Sequence, residues 1–175
     1  MAYPPEKLPG RYRSMAILEV LNALVVLPLV VVKLGMPATA ANLGGALAVA
    51  VPLLVGGAYW WAKLRQLRSG AELPEGMGVF AAARLPCWVL VVGALVLAVG
   101  AGLAGPTLPP GFGGDRLTGW LPGAGLAAFG VLEQINYFHV QLGHDNRYDL
   151  QRLFRSGLRR SKLARDLDAW AARPR

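Results

Sequence analysis

Charged residues are scarce in this chain of 175 residues. They make up 16% of the sequence, whereas soluble domains carry about 25%. The deficit is uneven, because long uncharged stretches alternate with short segments in which the charges are concentrated. This alternation argues against an ordinary soluble domain and is typical of a chain whose apolar segments face lipid.

Cysteine and histidine are also rare. The single cysteine, Cys87, excludes a disulfide within the chain and a cysteine-based zinc site. The two histidines, His139 and His144, differ by about 140° around a straight helix, which is unsuitable for holding one metal ion. No phosphate-binding loop, dinucleotide fingerprint or G-x-S-x-G sequence occurs. We therefore expect no metal, no cofactor and no catalytic residue.

Four apolar stretches each reach the roughly 20 residues that a membrane helix needs. Their length favours helices, because a barrel strand needs only about 10 alternating residues. The sequence thus predicts an all-α integral membrane protein whose residues 1–142 form a four-transmembrane-helix bundle. The predicted spans cover residues 14–34, 40–62, 80–103 and 120–142.

The distribution of positive charge predicts the orientation of the spans. With four crossings, 16 of the 18 Lys and Arg residues lie on one side, and only Lys33 and Arg116 lie on the other. Lys and Arg concentrate on the cytoplasmic side of membrane proteins. We therefore expect both termini in the cytoplasm. The abundance of Ala, Gly, Leu and Arg favours a plasma membrane of bacterial type.

Residues 143–175 form a separate basic tail. Leu163, Leu167 and Trp170 follow the i, i+4, i+7 spacing of an amphipathic helix. The pattern predicts one or two short cytoplasmic helices whose basic residues face anionic lipid head groups. The alternative is a docking site for a soluble partner. Because no nucleic-acid-binding module is present, we expect no nucleic acid as a partner.

Polar residues interrupt the first and fourth spans, and intramembrane polar groups are functional candidates by default. Six polar side chains fall within residues 133–141, and two more lie three residues apart in span one. All of them belong to the cytoplasmic half of their spans, where they are expected to converge on one pocket. The candidate binding residues are Glu19, Asn22, Arg84, Glu133, Asn136, Tyr137, His139 and His144.

Glu133 is the deepest of the predicted charges, roughly 14 Å from the cytoplasmic end of its span. Its carboxyl group must be neutral, paired or hydrated, because an unpaired charge at this depth is costly. A pair with Arg84 would make the site structural. Without that pair, Glu133 is a candidate site for an ion, a proton or a cation, and Glu19 is a second candidate.

The leading functional hypothesis is therefore a small transporter or channel-like protein. A non-catalytic accessory or scaffold subunit of a membrane complex is the alternative, with the polar cluster binding a partner span or a lipid. An enzyme acting on a lipid-soluble substrate is the least favoured of the three. The sequence leaves open whether the chain associates with a second copy or with another membrane protein.

Overall fold

The computed structural model describes residues 8–104, 111–112, 116–142 and 158–173. The regular elements among these residues are all helices, and the β-type pairing within them is an isolated bridge between Val140 and Arg160. The all-helical prediction is confirmed. Within these residues, three helical segments are long and apolar enough to cross a membrane: Leu8–Lys33, Ala40–Ser69 and Met77–Ala104.

The first of these segments is not a uniform α-helix. Helix α1 (Leu8–Leu21) continues through a π-helical turn at Asn22–Val26 into helix α2 (Leu27–Lys33). Pro28 lies in the first turn of α2. Proline has no N–H and cannot donate the i→i−4 hydrogen bond, so the helical hydrogen-bond pattern is interrupted at this point. The wider π-helical turn before Pro28 accommodates this interruption. The segment begins at Leu8, earlier than the predicted residue 14.

Helices α3 (Ala40–Ser69) and α4 (Met77–Ala104) are the two longest elements. The N-terminus of α3 is capped by the Thr39 hydroxyl, which accepts a hydrogen bond from the Asn42 amide at 3.2 Å. Its C-terminus ends at Gly70, which has φ of 69°. Both helices extend beyond the predicted spans, and α3 continues past residue 62 into the basic end of the molecule.

Helix α5 (Leu121–Phe138) follows a π-helical turn at Arg116–Trp120 and ends before the predicted residue 142. It is not among the three most apolar helices, because its last turns carry the polar residues of span four. Beyond the transmembrane region, helix α6 (Lys162–Ala171) is capped by the Ser161 hydroxyl, which accepts from the Ala164 amide at 3.1 Å.

Helix α3 is the centre of the molecule and packs against α1, α4 and α5. It runs parallel to α5, since Gly123 lies against Ala41 and Gly130 lies against Ala48. At both glycines, a Cβ atom would overlap the backbone of α3. Small residues thus permit the close approach of α3 and α5, as is common in membranes.

Helix α6 packs across the end of the molecule where α1 and α4 begin and α3 and α5 end. Leu163 and Ala164 of α6 are 1% and 2% exposed. Leu163 belongs to an apolar cluster that includes Tyr59, Phe80 and Phe138. The apolar face of this helix is therefore buried against protein, whereas its association with lipid remains a prediction.

Candidate functional site

A cavity of about 170 Å³ lies under α6, between the ends of α1, α3 and α5. The Glu19 carboxylate of α1 projects into it and accepts a hydrogen bond from the Tyr137 hydroxyl of α5. Tyr137 is buried and Glu19 is half-buried. The structure therefore brings together two predicted site residues that are 118 positions apart in the sequence.

Two adjacent glycines of α3 make this contact possible. A Cβ atom on Gly56 would overlap the Tyr137 ring, and one on Gly57 would lie 3.4 Å from the Cβ atom of Glu19. Any larger side chain at Gly56 would push the tyrosine away from α3. The Glu19–Tyr137 hydrogen bond thus depends on a gap in the surface of a third helix.

The segment that leads into α6 is attached to the end of α5 by backbone hydrogen bonds. The Gln141 amide donates to the Arg159 carbonyl at 2.9 Å, and the Ser161 amide donates to the His139 carbonyl at 3.1 Å. The Ser161 hydroxyl also donates to the Tyr137 carbonyl. These bonds place the first residues of α6 directly over the cavity.

A partly buried ion pair attaches the middle of α6 to α3. Lys63 and Asp166 are 2.7 Å apart, and their side chains are 17% and 16% exposed. The Tyr59 hydroxyl donates to the same Asp166 oxygen at 2.8 Å. Asp166 thus accepts two hydrogen bonds from α3, which makes it the main polar anchor of the helix.

Lys162 is the cation of α6 that enters the cavity. Its ammonium group donates to the Tyr12 hydroxyl at 3.1 Å and lies 4.7 Å from the centre of that ring. It is also 5.4 Å from the centre of the Trp60 ring. Burial lowers the pKa of Lys162 to about 8, and the nearby positive charges of Arg11 and Arg159 act in the same direction.

The depressed pKa of Lys162 leads to a measurable prediction. Acetylation by an N-hydroxysuccinimide ester requires the neutral amine, so we expect its rate at Lys162 to rise with a midpoint near pH 8. A lysine in an added reference peptide should show a midpoint near its ordinary value of about 10.4. Peptide mass spectrometry after short pulses across a pH series measures both, and coincident midpoints would contradict the assignment.

The same shift makes the stability of α6 depend on pH. The unfolded chain keeps the Lys162 proton up to its ordinary pKa of 10.5, whereas the folded protein releases it near 8. Stability rises with pH wherever the unfolded state holds more protons. The contribution of Lys162 to the docking of α6 therefore increases from about pH 8 to 10.5.

Glu133 and Asn136 lie beside this cavity. The Asn136 side chain lines it, donates to the Glu133 carboxylate at 3.5 Å, and accepts from the Leu142 amide at 2.8 Å. Within the described ranges, no cationic group lies within 4 Å of Glu133. The Arg84 side chain is exposed instead, and its carbonyl accepts from Gln134 at 3.1 Å. The pair with Arg84, one of the two alternatives for Glu133, is not formed.

The remaining predicted site residues lie elsewhere. Asn22 is exposed on the outer face of the first span. His139 faces α4, where its Nε2 atom accepts from the Trp88 indole at 3.2 Å. His144 lies outside the described residues. No group of three His, Cys, Asp or Glu side chains suited to a metal ion occurs in the part of the chain that the structure describes.

Several residues of the site are missing from the prediction. Apart from Gly56, they come from the ends of α1 and α3 and from the tail. Because Trp and Tyr are enriched at membrane interfaces, composition assigns the Tyr59-Trp60-Trp61 triplet to the interface. Three consecutive aromatic residues are more than an interfacial belt requires, and this excess was the available signal. The missed residues are Arg11, Tyr12, Gly56, Tyr59, Trp60, Lys63, Ser161, Lys162 and Asp166.

No protein family, curated protein or solved structure matches the chain.

Proposed function

We propose that the protein is a small multi-pass transporter of the plasma membrane, and that Glu19 binds a proton or a small cation in the cavity under α6. The observation that carries this proposal is the position of Glu19. This residue belongs to a helical segment apolar enough to cross a membrane, and its carboxylate faces the cavity. An ionisable side chain in such a place is costly unless it has a function or a partner.

The surroundings of Glu19 support a cation as the ligand. Tyr137 orients one carboxylate oxygen, and Glu133 lies within electrostatic range of Glu19 as a second acidic group. Lys162 closes the same cavity from the side of α6. We propose that the lysine stands in for the transported cation while the cavity is closed, and that α6 moves when the cation enters.

The proposal includes α5 as a fourth span, which completes a four-helix transmembrane bundle. Its 18 residues extend over about 27 Å, close to the roughly 30 Å of a hydrocarbon core. Arg11, Lys63 and Lys162 lie at the α6 end, whereas Lys33 lies at the opposite end. This asymmetry supports a cytoplasmic position for α6 and for both termini.

The tail also supports a membrane-surface role. Arg165 is exposed on α6, away from its buried apolar face, and Arg160 is exposed just before the helix begins. We propose that these side chains contact anionic lipid head groups, because basic residues on an interfacial helix favour such lipids.

A non-catalytic accessory subunit is the second candidate. Only 17% of the most apolar part of the Leu8–Lys33 segment is buried. This exposed face would suit the span of a larger membrane partner, with the cavity serving to fix the helices.

Replacement of Glu19 by glutamine distinguishes the two candidates. The purified protein is reconstituted in vesicles that contain a pH-sensitive dye, and a potassium diffusion potential drives protons inward. We expect wild type to acidify the vesicles faster than the protein-free control, and Glu19→Gln to fall to the control rate. The variant should keep its thermal stability, because the glutamine oxygen still accepts the Tyr137 hydrogen bond.

Glu72→Gln is the matched control, since the Glu72 side chain is 87% exposed and far from the cavity. It should conduct like wild type. If wild type moves neither protons nor sodium ions, or if Glu19→Gln conducts normally, the transport proposal fails and the accessory role becomes the better explanation.

A further inference from the structure

Asn22 is a polar side chain on the outside of the first membrane segment. It lies near the middle of Leu8–Lys33 and is exposed. Its amide makes no hydrogen bond to any described residue of its own chain. Inside a bilayer there is no water to satisfy such a group, so an unpaired amide at this depth is strongly unfavourable.

The surface around Asn22 is apolar, and no helix of the described residues covers it. The segment packs against α3 through Ala16, Ala23 and Leu27, which leaves the opposite side uncovered. Large apolar side chains surround the amide on this side. The exposed residues of this surface are Leu18 (56%), Leu21 (45%), Val25 (47%), Val26 (47%) and Leu29 (56%).

A second copy of the chain provides the partner that this surface needs. A side-chain amide carries both donors and an acceptor, so two asparagines related by a two-fold axis satisfy each other. In the described part of the chain, every other Asn and Gln residue is buried or half-buried. Among the described residues, the exposed amide that a neighbouring copy can offer to Asn22 is therefore its own Asn22.

We infer that the face of α1 centred on Asn22 binds the same face of a second copy, with the two Asn22 amides hydrogen-bonded across the two-fold axis. Polar pairing between spans stabilises association in lipid, where apolar surface alone gives no preference for protein over acyl chains. The π-helical turn that begins at Asn22 widens the helix at the contact. This inference depends on the membrane position of α1 and is independent of the proposed transport.

The first test measures association of the full-length protein in vesicles. Every variant carries Cys87→Ala, which removes the only native thiol, and Ala71→Cys, which accepts a donor or an acceptor dye. Energy transfer is followed as lipid is added. We expect wild type to associate, Asn22→Leu to raise the dissociation constant about tenfold, and Asn22→Gln to stay near wild type.

The second test locates the interface by oxidative cross-linking. Leu18→Cys and Val26→Cys, each in the Cys87→Ala background without the Ala71 change, flank Asn22 by one turn. They should form covalent dimers, whereas Val89→Cys on α4, which is 66% exposed at the native residue, should not.

Three outcomes would overturn the inference. Monomeric wild type at every lipid dilution would assign the face to lipid or to a different protein. Equal association of Asn22→Leu and wild type would remove the role of the amide. Cross-linking at position 89 in place of positions 18 and 26 would place the interface on another helix.

Discussion

Replacing Gly130 by alanine is expected to destabilise the protein by about 3 kcal/mol, at the upper end of the usual cost of overpacking. The new methyl group would overlap the carbonyl of Ala48, whose carbon atom would lie 2.6 Å away. The obstacle is the backbone of α3, so no change of rotamer can relieve it. The free energy of unfolding in mild detergent, followed by denaturant titration, measures the effect.

Gly125→Ala is the matched control on the same helix. A Cβ atom at Gly125 has no neighbour within 4 Å, and the residue is exposed. Alanine is also the better helix former by roughly 1 kcal/mol, so this variant should equal or exceed wild type in stability. Similar losses in both variants would show that α3 and α5 do not approach as closely as the structure places them.

Asp166→Asn is expected to release α6 from the end of the molecule. The substitution leaves Lys63 without its counter-charge, and breaking a buried pair in this way costs about 3–5 kcal/mol. Because both side chains are about one-sixth exposed, we expect about 2–3 kcal/mol here. Trypsin cleavage at Lys162 and Arg165 requires α6 to open, so cleavage should accelerate about 30- to 150-fold.

Asp168→Asn provides the comparison, because Asp168 pairs with Arg160 on the outer side of the same helix. Those side chains are 57% and 53% exposed, and such surface pairs contribute at most about 1 kcal/mol. Cleavage should therefore increase by a few-fold at most. Equal acceleration in the two variants would mean that the Lys63–Asp166 pair is not the anchor of α6.

The membrane character of the chain was predictable because it depends on local composition. An uncharged run of about 20 residues has few alternatives to a membrane helix, and the second and third predicted spans coincide with the cores of α3 and α4. Helix ends were less predictable. The last turns of α3, beyond residue 62, are polar enough for water, and Lys63 at their start pairs with Asp166 of α6.

The partners of the polar residues depend on three-dimensional contacts that no local pattern records. The sequence places Glu19 and Asn22 on neighbouring positions of one helix face, but only Glu19 turns toward the other helices. Their angular difference, about 60° on an α-helix, is enough to separate the cavity from the lipid-facing side. The choice of Tyr137 as the partner of Glu19 requires the gap at Gly56, which belongs to a third helix.

The aromatic end of α3 shows a similar limit. Tyr59 and Trp60 are 1% and 8% exposed, whereas Trp61 is 47% exposed. Composition alone assigned all three to the membrane interface. Their different burial arises because α6 covers one side of α3, and the sequence of the tail does not specify where it will dock.

The position of α6 along the chain has a consequence for biosynthesis. The ribosome completes α1, α3, α4 and α5 before it makes Asp166, so Lys63 is unpaired while the hydrophobic helices enter the membrane. In the proposed orientation, its positive charge helps to retain the end of α3 on the cytoplasmic side during insertion. When Asp166 arrives, the same lysine becomes an anchor for α6. The Lys63 side chain thus acts first on the orientation of α3 and later as the ion-pair partner of α6, in the order in which the chain is translated.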